Sequence, residues 1–162
     1  DTAHDNKVLE MPLEEYIAYE TGKKDLPVSM IYSVAGALGI DATELLTGET
    51  PRMDSYTVTR KGQGVGVERY KGYAFESLAA NFRHRDKEPM LVTISPKDGK
   101  PELVAHGGQE FNYVISGKIA VVIGAKTIVL NEGDSIYFDP RIRHGQYAVD
   151  GEARFLTVID KE

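Results

Sequence analysis

Four histidines occur in the chain, and two of them stand where they could hold a metal. His106 is followed by Gly107-Gly108 and, four residues on, by Glu110 at the entry to an apolar run. His144 comes 38 residues after His106, behind Asp139-Pro140-Arg141. Two imidazoles and one carboxylate make a facial triad, a set that suits iron(II) and also manganese, nickel or zinc. The remaining coordination positions stay open to water or substrate, and such a position favours a carboxylate or another anionic oxygen. The chain has no Cys, which removes disulfides, zinc–thiolate sites, iron–sulfur clusters and cysteine nucleophiles. Gly62-Gln-Gly-Val-Gly-Val-Glu68 is too regular in glycine for a phosphate loop. It also lacks the preceding strand, following helix and later ribose carboxylate of a dinucleotide site. It reads as a loop between two strands, and no organic cofactor is expected.

Spacing alone does not bring His144 to His106, so the elements that carry them matter. From residue 56 onward, short β-rich runs alternate with turn residues. They are Tyr56–Thr59, Tyr73–Ala79, Met90–Ile94, Glu110–Ile115, Ile119–Ile123, Thr127–Leu130, Ser135–Phe138, Gly145–Val149 and Arg154–Ile159. Gly124-Ala125 has the length and composition of a two-residue hairpin, and Asp150-Gly151 is a second hairpin signal. Many short strands at this spacing predict a sandwich or barrel. If Glu110 points inward, alternation sends Asn112 and Val114 the same way and Phe111, Tyr113 and Ile115 outward. Gln146 and Ala148 share the face of His144. Gln109 and Tyr137 are further pocket candidates beside the triad, although turn geometry decides their side. Asn112 and Gln146 could equally satisfy each other or bound water. Arg83-His84-Arg85 reads as an isolated basic, solvated loop.

The first third is different in kind. Pro12 suits a first helical position, and Leu13, Tyr16, Ile17 and Glu20 follow at helical spacing up to Gly22. A second helix is predicted after Pro27, with Ile31, Val34, Ala35 and Leu38 as its core-facing stripe. Asp41 with Glu44 three residues later has capping-box spacing for a third, ended by Gly48. Tyr16, Tyr19 and Tyr32 are read as packing residues. Residues 1–50 hold three basic residues against ten acidic ones, whereas residues 51–162 are near balance with 16 basic and 15 acidic. Phosphate contacts dominate non-specific nucleic-acid affinity, so the acidic segment is a poor DNA surface by itself.

Two resemblances follow from these residues. His106-Gly-Gly-Gln-Glu110-Phe-Asn-Tyr-Val-Ile-Ser-Gly117 is similar to the first cupin motif, from its second His to the closing Gly. Gly133-Asp-Ser-Ile-Tyr-Phe-Asp-Pro-Arg-Ile-Arg-His144 is similar to the second motif. The resemblance implies a jelly-roll barrel over about residues 65–160, with a metal held inside by His106, Glu110 and His144. Val104 stands at the position of the motif's first His, which reduces a four-ligand set to three. Asp139, Arg141 and Ala148 are further departures. Pro12–Gly22, Val28–Gly39 and Glu44–Gly48 resemble the third, fourth and fifth helices of a phage-repressor-type helix-turn-helix domain, with the first helix and most of the second absent. The residues that contact DNA are not assigned.

The expected architecture is therefore mainly β, a cupin jelly-roll barrel over residues 65–162. It is preceded by a partial helix-turn-helix segment over 1–50 and a linker over 51–64. With 162 residues, 41% hydrophobic, the chain can bury a sizeable core without staples. No apolar run approaches the roughly 20 residues of a membrane span. The start lacks a signal-peptide pattern, and a cytoplasmic protein is expected.

Helices of this type before a cupin barrel resemble repressor-type regulators with a cupin sensor. That resemblance implies one divalent metal, a small-molecule ligand, operator DNA for the full-length protein and a homodimer or higher homo-oligomer, and no membrane. The alternative resemblance is to mononuclear iron cupin oxygenases of the epoxidase type, which use a His–Glu–His site. His106-Gly-Gly-Gln-Glu110-Phe111 is similar to their first ligand segment. No catalytic residues beyond the triad are assigned.

Overall fold

The computed structural model describes residues 28–70 and 73–160. Among them, two α-helices, α1 (Val28–Leu38) and α2 (Ala42–Thr47), precede nine strands. The strands are β1 (Val65–Tyr70), β2 (Tyr73–Ser77), β3 (Lys87–Ile94), β4 (Glu110–Ser116), β5 (Ile119–Ile123), β6 (Lys126–Leu130), β7 (Ser135–Phe138), β8 (His144–Ala148) and β9 (Ala153–Asp160). They form a six-stranded sheet in the order β1-β2-β3-β9-β4-β7 and a three-stranded sheet in the order β6-β5-β8. Every named pairing is antiparallel. The molecule is mainly β, a jelly roll of two facing sheets with small helices before it, as expected.

The inner faces follow the two-residue period of a strand. In β3, Glu88, Met90, Val92 and Ile94 are buried, and in β9 so are Ala153, Phe155, Thr157 and Ile159. Met90 faces Thr157 and Val92 faces Phe155 across the ladder, so apolar side chains from both strands line one floor. β4 contributes Glu110, Asn112 and Val114 to the same interior, with Tyr113 and Ile115 outside.

The local signals decide most elements. Ile31 and Ala35 of the α1 stripe are buried, but Leu38 at its end is 50% exposed, a correction to the predicted stripe. Gly39 ends the helix there, in a left-handed conformation, and the chain turns away before a fourth position can reach the core. Asp41 caps α2, its Oδ1 accepting from the Thr43 N–H at 2.8 Å, and left-handed Gly48 closes it. Glu44 does not complete a capping box; its carboxylate accepts from the Thr50 hydroxyl instead. The helix expected at Pro12–Gly22, with Tyr16 and Tyr19, lies outside the described residues.

Three strand readings change. Tyr56–Thr59 forms no strand, and Tyr56 and Val58 are turned to solvent. A strand does occur where the glycine-rich loop was expected: β1 starts at Val65 and pairs with β2. Its glycine is a packing requirement, since a Cβ at Gly66 would lie 2.0 Å from the Phe75 carbonyl oxygen. Gly124-Ala125 does make a two-residue hairpin, with Ile123 opposite Lys126. Asp150-Gly151 does not. β8 pairs with β5 and β9 with β3 and β4, so that turn carries the chain from one sheet to the other.

Arg85 also departs from the solvated-loop reading. It is 6% exposed, its Nη1 lying 2.9 Å from Asp41 Oδ2 and its Nε 2.9 Å from Glu88 Oε2. It donates as well to the carbonyls of Ala80 and Phe82. Thr43 of α2 donates to the Ala80 carbonyl at 2.6 Å. Burial pushes Asp41 upward, but the Thr43 N–H and the Arg85 guanidinium outweigh it and hold its carboxyl below the ordinary value. One buried guanidinium thus ties the α2 cap to the strand that floors the barrel. Glu88 itself is fully buried at the head of the inward row of β3.

Candidate metal centre

The triad is assembled from two sheets. Glu110 opens β4 in the larger sheet and His144 opens β8 in the smaller one. The segment before β4 is pinned alongside β8 by paired backbone bonds, Val104 N–H to the His144 carbonyl at 3.0 Å and His144 N–H to the Val104 carbonyl at 2.9 Å. The His106 N–H bonds the Pro140 carbonyl at 2.9 Å, which sets the imidazole beside that of His144 with ring centres 5.0 Å apart. The three ligand atoms all lie within 4.8 Å of one another.

Each ring is oriented through its second nitrogen. His106 Nδ1 lies 3.0 Å from the Gly107 carbonyl oxygen, and His144 Nδ1 lies 2.8 Å from that of Ile142. A carbonyl only accepts, so both Nδ1 atoms carry a proton. The two Nε2 atoms are left to face Glu110 Oε1, at 3.1 and 3.3 Å. Two nitrogen lone pairs and a carboxylate oxygen pointed at one spot need a cation between them, either protons on the rings or a metal. Burial pushes the Glu110 carboxyl up, but hydrogen bonds and charge from His106 and His144 outweigh it and set it at about 2. The carboxylate is therefore ionised at neutral pH. Two Nε2 atoms with their Nδ1–H groups bonded to carbonyls, plus one charged oxygen, form a donor set that fits a divalent transition metal.

The other carboxylate oxygen faces away from the histidines. Glu110 Oε2 accepts from Asn112 Nδ2 at 3.1 Å and from Gln146 Nε2 at 3.0 Å. Gln146 also donates to Asn112 Oδ1 at 2.8 Å, and Asn112 to Thr157 Oγ1 at 3.2 Å. The one bond between the amides runs from Gln146 to Asn112, and together they hold the carboxylate plane with Oε1 toward the rings. Removing such an outer partner costs roughly 10–100-fold in metal affinity. Gln146→Ala is therefore expected to weaken Ni(II) binding by that factor in a calorimetric titration, with Tyr137→Phe as an unaffected control.

Gln109 and Tyr137 are placed elsewhere. Tyr137 is 63% exposed on the outer face of β7, and its hydroxyl bonds the exposed Gln109 side chain. They border a separate outer depression with Gly108, Asp139, Arg141 and Asp160. Sequence reasoning missed Thr157 and the apolar wall of β3 and β9. The alternation applied to β4 and β8 would have found both, since each strand buries every second residue.

Gly108 supplies the turn that brings His106 back over Glu110. Its φ is +79°, and a Cβ there would lie 2.4 Å from the Asp160 carbonyl oxygen. Gly108→Ala is expected to cost roughly 1–3 kcal/mol through the forced left-handed backbone and that collision. A melting temperature lowered by several degrees checks it.

Beside Glu110 and His144 lies a cavity of about 110 Å³. Its walls are Met90, Val92, Ile94, Val104, Phe155 and Ile159, with Glu110, His144, Gln146 and Thr157 on one side. Val104 lies directly across from His144 and makes that wall apolar.

Residues 90–159 match the family model described as the cupin domain, and the chain carries a cupin domain over that span. Three solved structures show the same fold over most of the chain. An HTH_3 family transcriptional regulator from Vibrio cholerae is 15% identical, with a TM-score of 0.63 covering 100% of this chain and 87% of that one. The hydroxypropylphosphonic acid epoxidase from S. wedmorenis is 21% identical, with a TM-score of 0.57 covering 98% and 88%. An FeII HppE structure is 21% identical, with a TM-score of 0.55 covering 98% and 90%.

Proposed function

We propose that this protein is a bacterial transcriptional regulator. Its cupin domain senses a small molecule through a divalent metal on His106, Glu110 and His144, and the helices before residue 50 belong to its helix-turn-helix DNA reader. The observation that carries this reading is the buried Arg85, which joins the α2 cap at Asp41 to Glu88 on β3. The same strand presents Met90, Val92 and Ile94 to the cavity. A ligand that favours one position of β3 then favours one position of α2, which is the differential binding that a switch requires. The match to a regulator over the full length of this chain supports the same arrangement. A homodimer or higher homo-oligomer in the cytoplasm suits paired operator half-sites. Among the described residues, no helix is long and apolar enough to cross a membrane.

The test is an electrophoretic mobility shift of the full-length protein on the promoter DNA of its own gene, with and without Ni(II). The expected result is specific binding whose affinity changes about tenfold on metal loading, with the change absent in His106→Ala. No specific binding in either state contradicts the regulator.

The second reading is a mononuclear iron oxygenase, favoured by a triad that opens onto a cavity and by the iron(II) form of a protein with this fold. A bound iron would supply oxygen activation, while His106, Glu110 and His144 hold it and the apolar wall excludes water. Among the described residues, the only further acid lining the cavity is Glu102, on its exposed side. Substrate-dependent oxygen uptake by the iron-loaded protein, lost in Glu110→Ala, would establish this reading over the first.

A further inference from the structure

We propose that the cavity beside Glu110 and His144 is a site for a short aliphatic monocarboxylate of about four or five carbons. Its carboxylate would lie on the metal and its tail against β3 and β9. The inference rests on the metal-site reading above and adds the chemical class of the ligand. Three observations carry it.

The first is charge. Two neutral imidazoles and the Glu110 carboxylate around a divalent ion leave the centre at a net charge of one positive. A monoanion brings that to zero. A dicarboxylate or a doubly charged phosphonate leaves a negative charge in a buried place, which is strongly unfavourable without a partner. Among the described residues lining the cavity there is no Lys and no Arg to partner a second negative charge.

The second is the state of the polar groups. Gln146 donates to Glu110 and Asn112, and Asn112 donates to Glu110 and Thr157, so both amide nitrogens are engaged in holding the carboxylate. The Thr157 hydroxyl hydrogen and Gln146 Oε1 remain on the wall for one or two contacts, so a ligand with many hydroxyls or phosphonyl oxygens would leave buried polar atoms unmatched.

The third is shape. Met90, Val92, Ile94, Val104, Phe155 and Ile159 give a space of about 110 Å³ a mostly apolar lining beside the polar Glu110, His144, Gln146 and Thr157. An apolar cavity of about 150 Å³ holds a benzene, so this one takes a branched tail of three or four carbons. Val104 has a part in this: a fourth histidine ligand at its position would fill the space the tail uses.

The experiment is calorimetric titration of the Ni(II)-loaded protein with acetate, butyrate, isovalerate, decanoate, succinate and methylphosphonate, after its nickel content has been measured. Each buried methylene is worth about fourfold in affinity. Isovalerate is therefore expected to bind at least tenfold more tightly than acetate, than the dianion succinate and than the more polar methylphosphonate, with decanoate excluded by size. Val92→Asp, which places a carboxylate in the wall and leaves the triad intact, is expected to retain nickel and lose isovalerate binding. Two results would overturn the proposal with the metal site intact. One is succinate or methylphosphonate binding as tightly as isovalerate, and the other is a nickel-loaded protein that binds no monocarboxylate. A protein that takes up no nickel overturns the metal-site reading and the proposal together.

Discussion

Glu110→Gln is expected to reduce divalent-metal binding by more than the 10–100-fold that an outer hydrogen-bond partner is worth. The substitution keeps the side-chain volume, and its amide oxygen can still accept from Asn112 and Gln146 with the NH2 group in place of Oε1, so the loss reports the anionic oxygen ligand as a whole. That oxygen lies 3.1 Å from His106 Nε2 and 3.3 Å from His144 Nε2, and it is the only anionic ligand of the three. Two neutral imidazoles alone would leave a divalent ion at full charge inside a barrel with apolar walls. Titration with Ni(II) or Mn(II) reads the effect directly. Wild-type affinity in Glu110→Gln would mean that the ion, if bound, sits elsewhere.

The second large effect is on stability. Arg85→Met removes the partner of Glu88, whose side chain is fully buried, and of Asp41 at the α2 cap. Breaking a buried ion pair from one side costs about 3–5 kcal/mol, because the remaining charge is stranded. That is a large part of the 5–15 kcal/mol typical of a whole domain. Urea denaturation should show it as a lowered midpoint. The double variant Arg85→Met, Glu88→Gln is expected to recover part of the loss, since removing both charges strands neither in the barrel. A loss below about 1 kcal/mol in the single variant would mean that the pair does not clamp the helices to the barrel.

The site was legible where chemistry and alternation coincide. Glu110, Asn112 and Val114 are two apart on β4 and all face inward. His144 and Gln146 repeat that spacing on β8, and both line the cavity. Gln109 was not legible in the same way. It precedes the first paired residue of β4, behind a glycine turn, so no strand period fixes its side, and it meets Tyr137 on the outer surface.

Arg85 was hidden for a different reason. Its partners are 44 positions before it and three after it, and a sequence shows neither the burial nor the convergence that turn a basic loop into a clamp. β1 was obscured by its own glycine, which lowers strand propensity locally while being required where the β2 backbone passes close to Gly66. Asp150-Gly151 carries true turn chemistry, but local turn chemistry does not state which sheet the next strand joins.

The most direct test of the metal centre is metal content by mass spectrometry, for the wild type and His144→Ala side by side. Both proteins are loaded without oxygen with iron, manganese, nickel or zinc and then desalted. The arrangement of His106, Glu110 and His144 predicts close to one ion per chain in the wild type and little in the variant. Wild-type protein that retains none of the four metals, or a variant that retains as much as the wild type, would contradict it.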